Sequence, residues 1–369
     1  MTPPLPWRRR PEQSVSVVVP AFGAAASLVR SLDSILAQPV RDLQVVVVDD
    51  GSTDRTGEIA DAYAAEHPQV TVLHQQNGGV SRARNAAMAH VTGELVTFVD
   101  PDDFLPADAW TPMLRSLAKT GSDFAIGMME RVLEDGRRVR PPLLHRNHAV
   151  ERLGITIDDA PLLIADVFPC NKMFRTEFWH RAGLSFPPDT SYEDNVFSAE
   201  AYLAGSRFDV LTPVVYDWYV RGEGSSDTNR RGRLKNLRDR VATKQATLER
   251  VLAHGNPELI DTLYRQVLPI DMWEHFRAAV RPTTEEPETY WRELRAGVRA
   301  LWNDTTVPFE ETAVPPGQRL MGWLVGEDRR DDLARLIDLI DGPGVPTEDG
   351  VYLHPWRDEP GVPVALSRA

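Results

Sequence analysis

Asp100-Pro101-Asp102 follows a hydrophobic run and sets two carboxylates at its end, separated by a residue that stiffens the turn. That spacing suits a hard divalent cation, which takes one or two carboxylates while diphosphate oxygens fill other positions. An ordinary Asx turn or helix cap before Phe104 is the alternative, with Pro106 expected to open the next helix. Asp49-Asp50-Gly51-Ser52-Thr53-Asp54 follows another apolar run. There a strand-end Asp can accept the imide or amide hydrogen of a base while Ser52 and Asp54 cap a helix. Paired acids also occur in phosphoacceptor pockets, but those need a strand-end lysine, and no lysine precedes position 119. Gly78, Gly79, Ser81, Arg82 and Arg84 lie where a glycine-rich loop runs into a helix, so backbone N–H groups and positive charge can face phosphate. Two surface arginines are the plainer reading of that stretch.

These residues can act together only if one scaffold brings them to the same place. Ser14 to Val19 is a β-branched run ending at Pro20, and Ala24 to Gln38 has Leu28, Leu32, Ile35 and Leu36 at helical spacing. The alternation continues with a strand over Leu43 to Val48, a helix over Arg55 to Glu66 and a strand over Val70 to His74. A helix over Gly79 to His90 and a strand over Leu95 to Val99 follow. Strands too apolar to alternate, interleaved with helices, predict an α/β fold: a mostly parallel, Rossmann-like sheet with helices on both faces. Ligands of such sheets bind beyond the carboxyl ends of the strands, where each marked segment falls.

A further strand is expected at Phe124 to Met129, a Pro- and Arg-rich loop around Arg137 to Pro142, and a helix after Ser191. Beyond Arg230 the pattern turns to amphipathic helices, as in Leu333, Leu336, Ile337 and Ile340. We therefore expect a flexible tail over 1–13, a catalytic domain over 14–230, a helical accessory domain over 231–341, and a Pro/Gly-rich tail or linker over 342–369 with a β-like stretch at Val351 to Leu353.

The net charge of −13 removes the electrostatic drive for binding a polyphosphate backbone, which sets nucleic acid aside as a partner. No apolar run reaches the length of a signal peptide or membrane span, and Arg8-Arg9-Arg10 is too short a basic run to hold much anionic lipid. A cytoplasmic protein, at most peripheral at the inner face of the cell membrane, is the expectation. Cys170, the single cysteine, reads as a buried structural thiol in a reducing compartment. Lysine occurs only at 119, 172, 235 and 244 among 41 basic residues, which we read as a GC-rich bacterial genome and not as chemistry.

Taken in order, Val17-Val18-Val19-Pro20-Ala21-Phe22, Val48 to Asp54, Asn77-Gly78-Gly79-Val80-Ser81-Arg82-Ala83-Arg84-Asn85 and Phe98-Val99-Asp100-Pro101-Asp102-Asp103 resemble the motifs of family 2 glycosyltransferases of GT-A fold. The resemblance continues through Cys170 to Arg175, Tyr192 to Phe197 and Tyr216 to Arg221; it is strong over 14–230 and loose beyond. It is similar in arrangement to bacterial enzymes that glycosylate wall teichoic acid or build surface polysaccharide. The resemblance implies a UDP-sugar donor, with Pro20, Phe22 and Asp50 around the uracil, and Asn77 and Arg84 assisting base and diphosphate. It implies Mn²⁺ or Mg²⁺ on Asp100 and Asp102, a catalytic base at Asp194, and Arg221 with Ser225 closing over the diphosphate. Phe22 stands where tyrosine is usual and Gly23 where asparagine is usual, so stacking survives but a hydroxyl contact does not.

The implied reaction has Asp194 take a proton from an acceptor hydroxyl that attacks the anomeric carbon opposite the nucleotide, giving a β-linked product from an α-linked donor. For Glu193-Asp194 the alternative is helix N-terminal charge placement, favourable by a few tenths to ~1 kcal/mol without catalysis. The acceptor is expected to be a glycan or polyol-phosphate polymer. Trp179, Trp218, Tyr219 and Trp273 are candidates for stacking on it, Asn171 and Lys172 for polar contacts, and His145 and His148 read as loop residues without ligand-like partners. Assembly as a homo-oligomer is left open. Two competing readings are a catalytically retired scaffold and a nucleotidyltransferase; the latter lacks the charged loop expected after the first strand, between Ala21 and Ser27.

Overall fold

The computed structural model describes residues 13–220 and 231–368. They divide into two compact units. The first comprises Met1–Asp159, Asp166–Asp189 and Glu200–Gly222; the second takes Ala160–Ala165, Thr190–Ala199 and everything from Glu223 onward.

The first unit opens with β1 (Val15–Ala21), α1 (Leu28–Leu36), β2 (Leu43–Asp49), α2 (Thr56–Glu66), β3 (Val70–His74), α3 (Val80–Met88) and β4 (Leu95–Phe98). Then come α4 (Thr111–Thr120), β5 (Phe124–Leu133), β6 (Arg138–Val139), α5 (Pro142–Asn147), β7 (Arg152–Ile155), β8 (Lys172–Arg175) and α6 (Thr176–Arg181). The long β9 (Phe208–Val220) completes it, and helix α7 (Glu193–Ala204) starts among the residues of the second unit and ends among those of the first. The sheet order is β3-β2-β1-β4-β8-β5-β9-β7, with β6 on β5. Strands β1 to β4 are parallel, and β5 and β9 run with them; β6, β7 and β8 run against them.

Every residue of β1 is buried, as are Val45 to Val48 of β2, which is why these strands read as unbroken apolar runs. Val18 pairs with Val46 on one side and Phe98 on the other, so β1 and β2 end level at Ala21 and Asp49, while β4 stops three residues earlier. Pro20 lies beyond the β1–β4 register, where its missing N–H interrupts no pairing with β4.

Three elements differ from the sequence expectations. Pro106 does not open a helix: Asp108 takes a left-handed conformation (φ 56°), and α4 starts at Thr111. The stretch around Arg137 to Pro142 is partly ordered as β6 and the start of α5. The Cys170-to-Arg175 motif contains β8, an antiparallel strand too short for a periodicity signal. Across β5 and β9 a bulge brings Gly127 against Val215, and a Cβ on residue 127 would sit 2.4 Å from Val215 Cγ1. Trp179 is core, stacked among Phe98, Phe174 and Phe186 at 5.4–5.9 Å, and not a surface platform.

The second unit is mainly helical: α8 (Leu234–His254), α9 (Pro257–Thr262), α10 (Met272–Ala278), α11 (Pro287–Leu301), α12 (Pro316–Gly326) and α13 (Arg330–Asp341). Amphipathic spacing explains them; α11, for example, buries Tyr290, Trp291, Leu294, Val298 and Leu301 along one face. The Pro/Gly-rich end of the chain is folded. A hairpin of β10 (Thr347–Glu348) and β11 (Val351–Tyr352) is followed by buried Trp356 and Leu366. No helix among the described residues is long and apolar enough to cross a membrane.

Candidate active site

The strand ends of the first unit are stitched to one another by the residues that the motifs single out. The Asp50 carboxylate is buried and fully drawn into the glycine-rich loop: Oδ1 accepts from Gly78 N (2.9 Å) and Gln75 Nε2 (2.6 Å), and Oδ2 from Gly79 N (2.8 Å). Gly51 is obligatory beside it. Its φ is +73°, and a Cβ would lie 2.8 Å from Asn77 N, so the turn after β2 and the loop before α3 can touch only without a side chain. Asn77 itself is exposed. Gly23 N–H donates to Ser52 Oγ (3.2 Å), tying the loop after β1 to the turn after β2. Ser52 therefore links loops, and Asp54 accepts from Thr56 N at 3.0 Å in a turn ahead of α2, whose N-cap is Arg55 and makes no side-chain capping bond. Phe22, at the same edge, is 56% exposed, an unusual state for a large apolar ring and one that leaves a face free for stacking.

Beyond β4, Arg84 reaches from α3 with its guanidinium buried, donating from Nη2 to Asp100 Oδ1 (2.9 Å) and lying 4.9 Å over the Phe186 ring. It thus holds Asp100 directly. Asp103, which belongs to the Phe98-to-Asp103 motif without a role of its own there, is the keystone of the acidic turn. Its Oδ1 accepts from Tyr219 N (2.7 Å) and its Oδ2 from the Tyr216 hydroxyl (2.8 Å), which itself accepts from Asp100 N (3.0 Å). Burial, then the nearby Asp100 and Asp102 carboxylates, push the Asp103 carboxyl well above the usual range. Arg30 donates to the Asp102 carbonyl (3.0 Å) from between the Phe104 and Tyr219 rings, at 4.5 and 4.1 Å. No motif could reveal Arg30, or the pairing of Tyr216 and Tyr219 with Asp103, because the partners are 70 or more residues apart.

Asp100 and Asp102 are only partly buried, and the negative potential that lifts Asp103 is concentrated on them. Among the described residues no group of three or more His, Cys, Asp and Glu side chains is gathered for a metal. A two-carboxylate donor set does not suit structural zinc, but it fits Mg²⁺ or Mn²⁺, which keep several positions for water and substrate phosphate.

In the second unit Asp194 stands in the first turn of α7, after a strained residue. Tyr192 has φ +68°, a conformation that bulky residues avoid. It is held there by its hydroxyl, which donates to Asn236 Oδ1 (2.8 Å) and accepts from Arg231, and by the Arg240 guanidinium 3.5 Å over its ring. Tyr192 opens the Tyr192-to-Phe197 motif, but nothing in the motif assigns it a role. Arg221 and Ser225 lie outside the described residues.

Two acceptor-side expectations change. Lys172 and Asn171 are fully buried, with Lys172 Nζ 2.9 Å from Asp166 Oδ1 and Asn171 Nδ2 donating to the same carboxylate. His148 is buried too, with Nε2 2.9 Å from Asp166 Oδ2. This cluster is internal scaffolding, closed off from solvent.

Comparison with known proteins follows the same outline. Residues 16–181 match the family model for glycosyl transferase family 2. Glycosyltransferase GlyG of Streptococcus pneumoniae is 37% identical over 219 residues, 57% of this chain and 72% of that protein. The uncharacterized glycosyltransferase EpsJ of Bacillus subtilis is 29% identical over 205 residues, 55% of this chain and 60% of that protein. The poly(ribitol-phosphate) beta-N-acetylglucosaminyltransferase TarS of Staphylococcus aureus is 30% identical over 57% of this chain, which spans only 36% of TarS. The crystal structure of TarS 1-349 with UDP-GlcNAc superposes with a TM-score of 0.69 at 21% identity, covering 92% of this chain and 95% of that one, a likeness of fold. The expected GT-A-like sheet with a helical C-terminal region is therefore what this sequence adopts, and the chain belongs to glycosyl transferase family 2.

Proposed function

We propose that this protein transfers a sugar from a UDP-sugar to a hydroxyl of a cell-envelope glycan or polyol-phosphate polymer, with inversion to a β-linked product. The observation that carries the reading is the stitched strand edge, where exposed Phe22, the Asp50-anchored loop and the Arg84-held Asp100 meet beyond β1, β2 and β4. The poly(ribitol-phosphate) substrate in the name of TarS, and the UDP-GlcNAc bound in its crystal structure, support the donor and acceptor classes.

Phe22 stacks on the uracil, with Pro20 and Asn77 beside it, and Asp50 shapes the loop that receives it. Asp100 and Asp102 would hold a divalent cation, which would supply charge neutralisation for the departing diphosphate when bound. Arg84 fixes Asp100 in place, and Arg221 and Ser225 close on the diphosphate. Asp194 takes the proton of the acceptor hydroxyl as that oxygen bonds to the anomeric carbon and the bond to UDP breaks. The reaction runs on the cytoplasmic side, where Cys170, the single cysteine and a buried one, stays reduced.

The test is UDP release from a panel of UDP-sugars with Mn²⁺ or with EDTA. Asp194→Asn lowers turnover by roughly 10²-fold or more while keeping UDP affinity, and Asp102→Asn weakens only the metal-dependent part of UDP binding. Near-normal turnover in Asp194→Asn removes that residue from the mechanism. Pyrophosphate in place of UDP points to nucleotidyl transfer, and no product from any donor points to a scaffold.

A further inference from the structure

The second unit contains a cavity of about 370 Å³ built by α10, α12, α13 and the closing hairpin, and lined by Trp273, Gln318, Met321, Ile340, Val345 and Tyr352. Its volume lies toward the small end of the about 300–1,000 Å³ typical of ligand sites. Space is kept open at Gly317, where a Cβ would lie 3.1 Å from the Tyr352 hydroxyl and 3.2 Å from Ile340 Cδ1.

The lining is aromatic and apolar, yet it carries side chains with polar groups. The side chains of Trp273, Gln318 and Tyr352 make no hydrogen bond to another described residue, although Tyr352 is almost fully buried. A hydrocarbon guest would strand an indole N–H, an amide and a hydroxyl away from water, each at a cost. An anionic guest finds no uncompensated charge either, since Arg277, the cation in the wall, is held by Asp341 through two hydrogen bonds of 2.9 and 2.7 Å. A pyranose ring has the matching combination of an apolar C–H face for aromatic walls and hydroxyls for the amide, indole and phenol.

We propose that this cavity is a glycan-binding subsite that holds one neutral pyranose unit of the acceptor or product polymer. The identity of the guest rests on the glycosyl-transfer reading; the cavity and its unpaired polar groups do not. A bound saccharide unit would keep a polymer on the enzyme between transfers, in addition to whatever the catalytic residues hold.

The experiment is saturation-transfer NMR on the full chain with methyl β-D-glucopyranoside and its 2-acetamido analogue as probes, with UDP and Mn²⁺ present to fill the donor site. Expected is transfer to at least one probe, weakened about fivefold or more in Gln318→Ala and in Tyr352→Phe, a loss equivalent to one hydrogen bond each, and unchanged in Asp194→Asn. Gln318 is partly exposed, so its truncation tests the site without disturbing a core position. No transfer to either pyranoside, transfer that both variants leave intact, or displacement of the probe by uridine overturns the proposal. UDP release measured on the same preparations separates the two ideas. Turnover without pyranoside binding sinks the subsite alone, and pyranoside binding without turnover sinks the transferase reading alone.

Discussion

Arg84 Nη2 lies 2.9 Å from Asp100 Oδ1, with the guanidinium nearly sealed from solvent under Phe186, so the orientation of one of the two candidate metal carboxylates is set by a residue on a different element. Groups that orient ligands in this way typically change metal affinity by about 10–100-fold when removed. Arg84→Met is expected to weaken Mn²⁺-dependent UDP binding by that amount in calorimetry. Arg82→Met, which loses only an exposed pair with Asp189, should leave it unchanged. Equal behaviour of the two variants would show that the Arg84–Asp100 pair matters to folding alone.

Tyr192 is expected to act as a positioning residue for Asp194. Its hydroxyl network with Asn236 and Arg231 holds the strained backbone from which α7 starts. Tyr192→Phe keeps the ring under Arg240 but loses that network. Small misplacement of a reacting group can cost up to about 10²-fold, so kcat should fall by about 10-fold with the donor KM unchanged. A rise in KM at constant kcat would place Tyr192 in donor binding instead.

The buried Asp166–Lys172–His148 cluster predicts acid lability. Burial alone would raise the Asp166 carboxyl, but Lys172 and the His148 contact hold it far below the usual range. A carboxyl depressed in the folded state contributes stability above its unfolded value of 3.8, and that contribution drains away as pH falls below about 4. Lys172→Met leaves a buried carboxylate short of its main partner and should cost about 3–5 kcal/mol at pH 7. Since neutralising Asp166 relieves the variant and not the wild type, the gap in urea stability should narrow on acidification. A gap that widens would refute the assignment.

Much of this site could be read along the chain because its motifs are local. A strand that ends in Asp49-Asp50-Gly51 or Asp100-Pro101-Asp102 announces both the sheet and the edge where ligands bind, since parallel strands lose their alternation and turn residues mark their ends. What stayed hidden is long-range pairing. Asp103 looks like one more acid in the turn until Tyr216 and Tyr219 arrive from β9 to bond it. Lys172 reads as a free cation in a motif and proves to be buried on Asp166. Aromatic content misled in the same way, because Trp179 and exposed Phe22 differ in surroundings and not in any pattern that one sequence displays.

Lys244 carries a pH dependence of opposite sign to that of Asp166. It is buried in α8, with Nζ donating to the Ile270 carbonyl at 3.1 Å, and burial followed by repulsion from Arg240 brings its pKa down to about 7. The unfolded chain holds this proton up to about pH 10.5, so between pH 7 and 10.5 the unfolded state binds more protons than the folded one. Stability attributable to this group must therefore rise with pH across that window, and below it the folded protein bears the full cost of a buried ammonium. Lys244→Met fills the same space without the charge. It should be more stable than wild type at pH 7, by up to about 1–4 kcal/mol, with the advantage shrinking toward pH 10. Urea unfolding of both proteins at pH 7 and pH 9.5 measures it; a variant less stable than wild type at both values would mean that the ammonium is a net asset to the fold, held by the Ile270 carbonyl and Asp271.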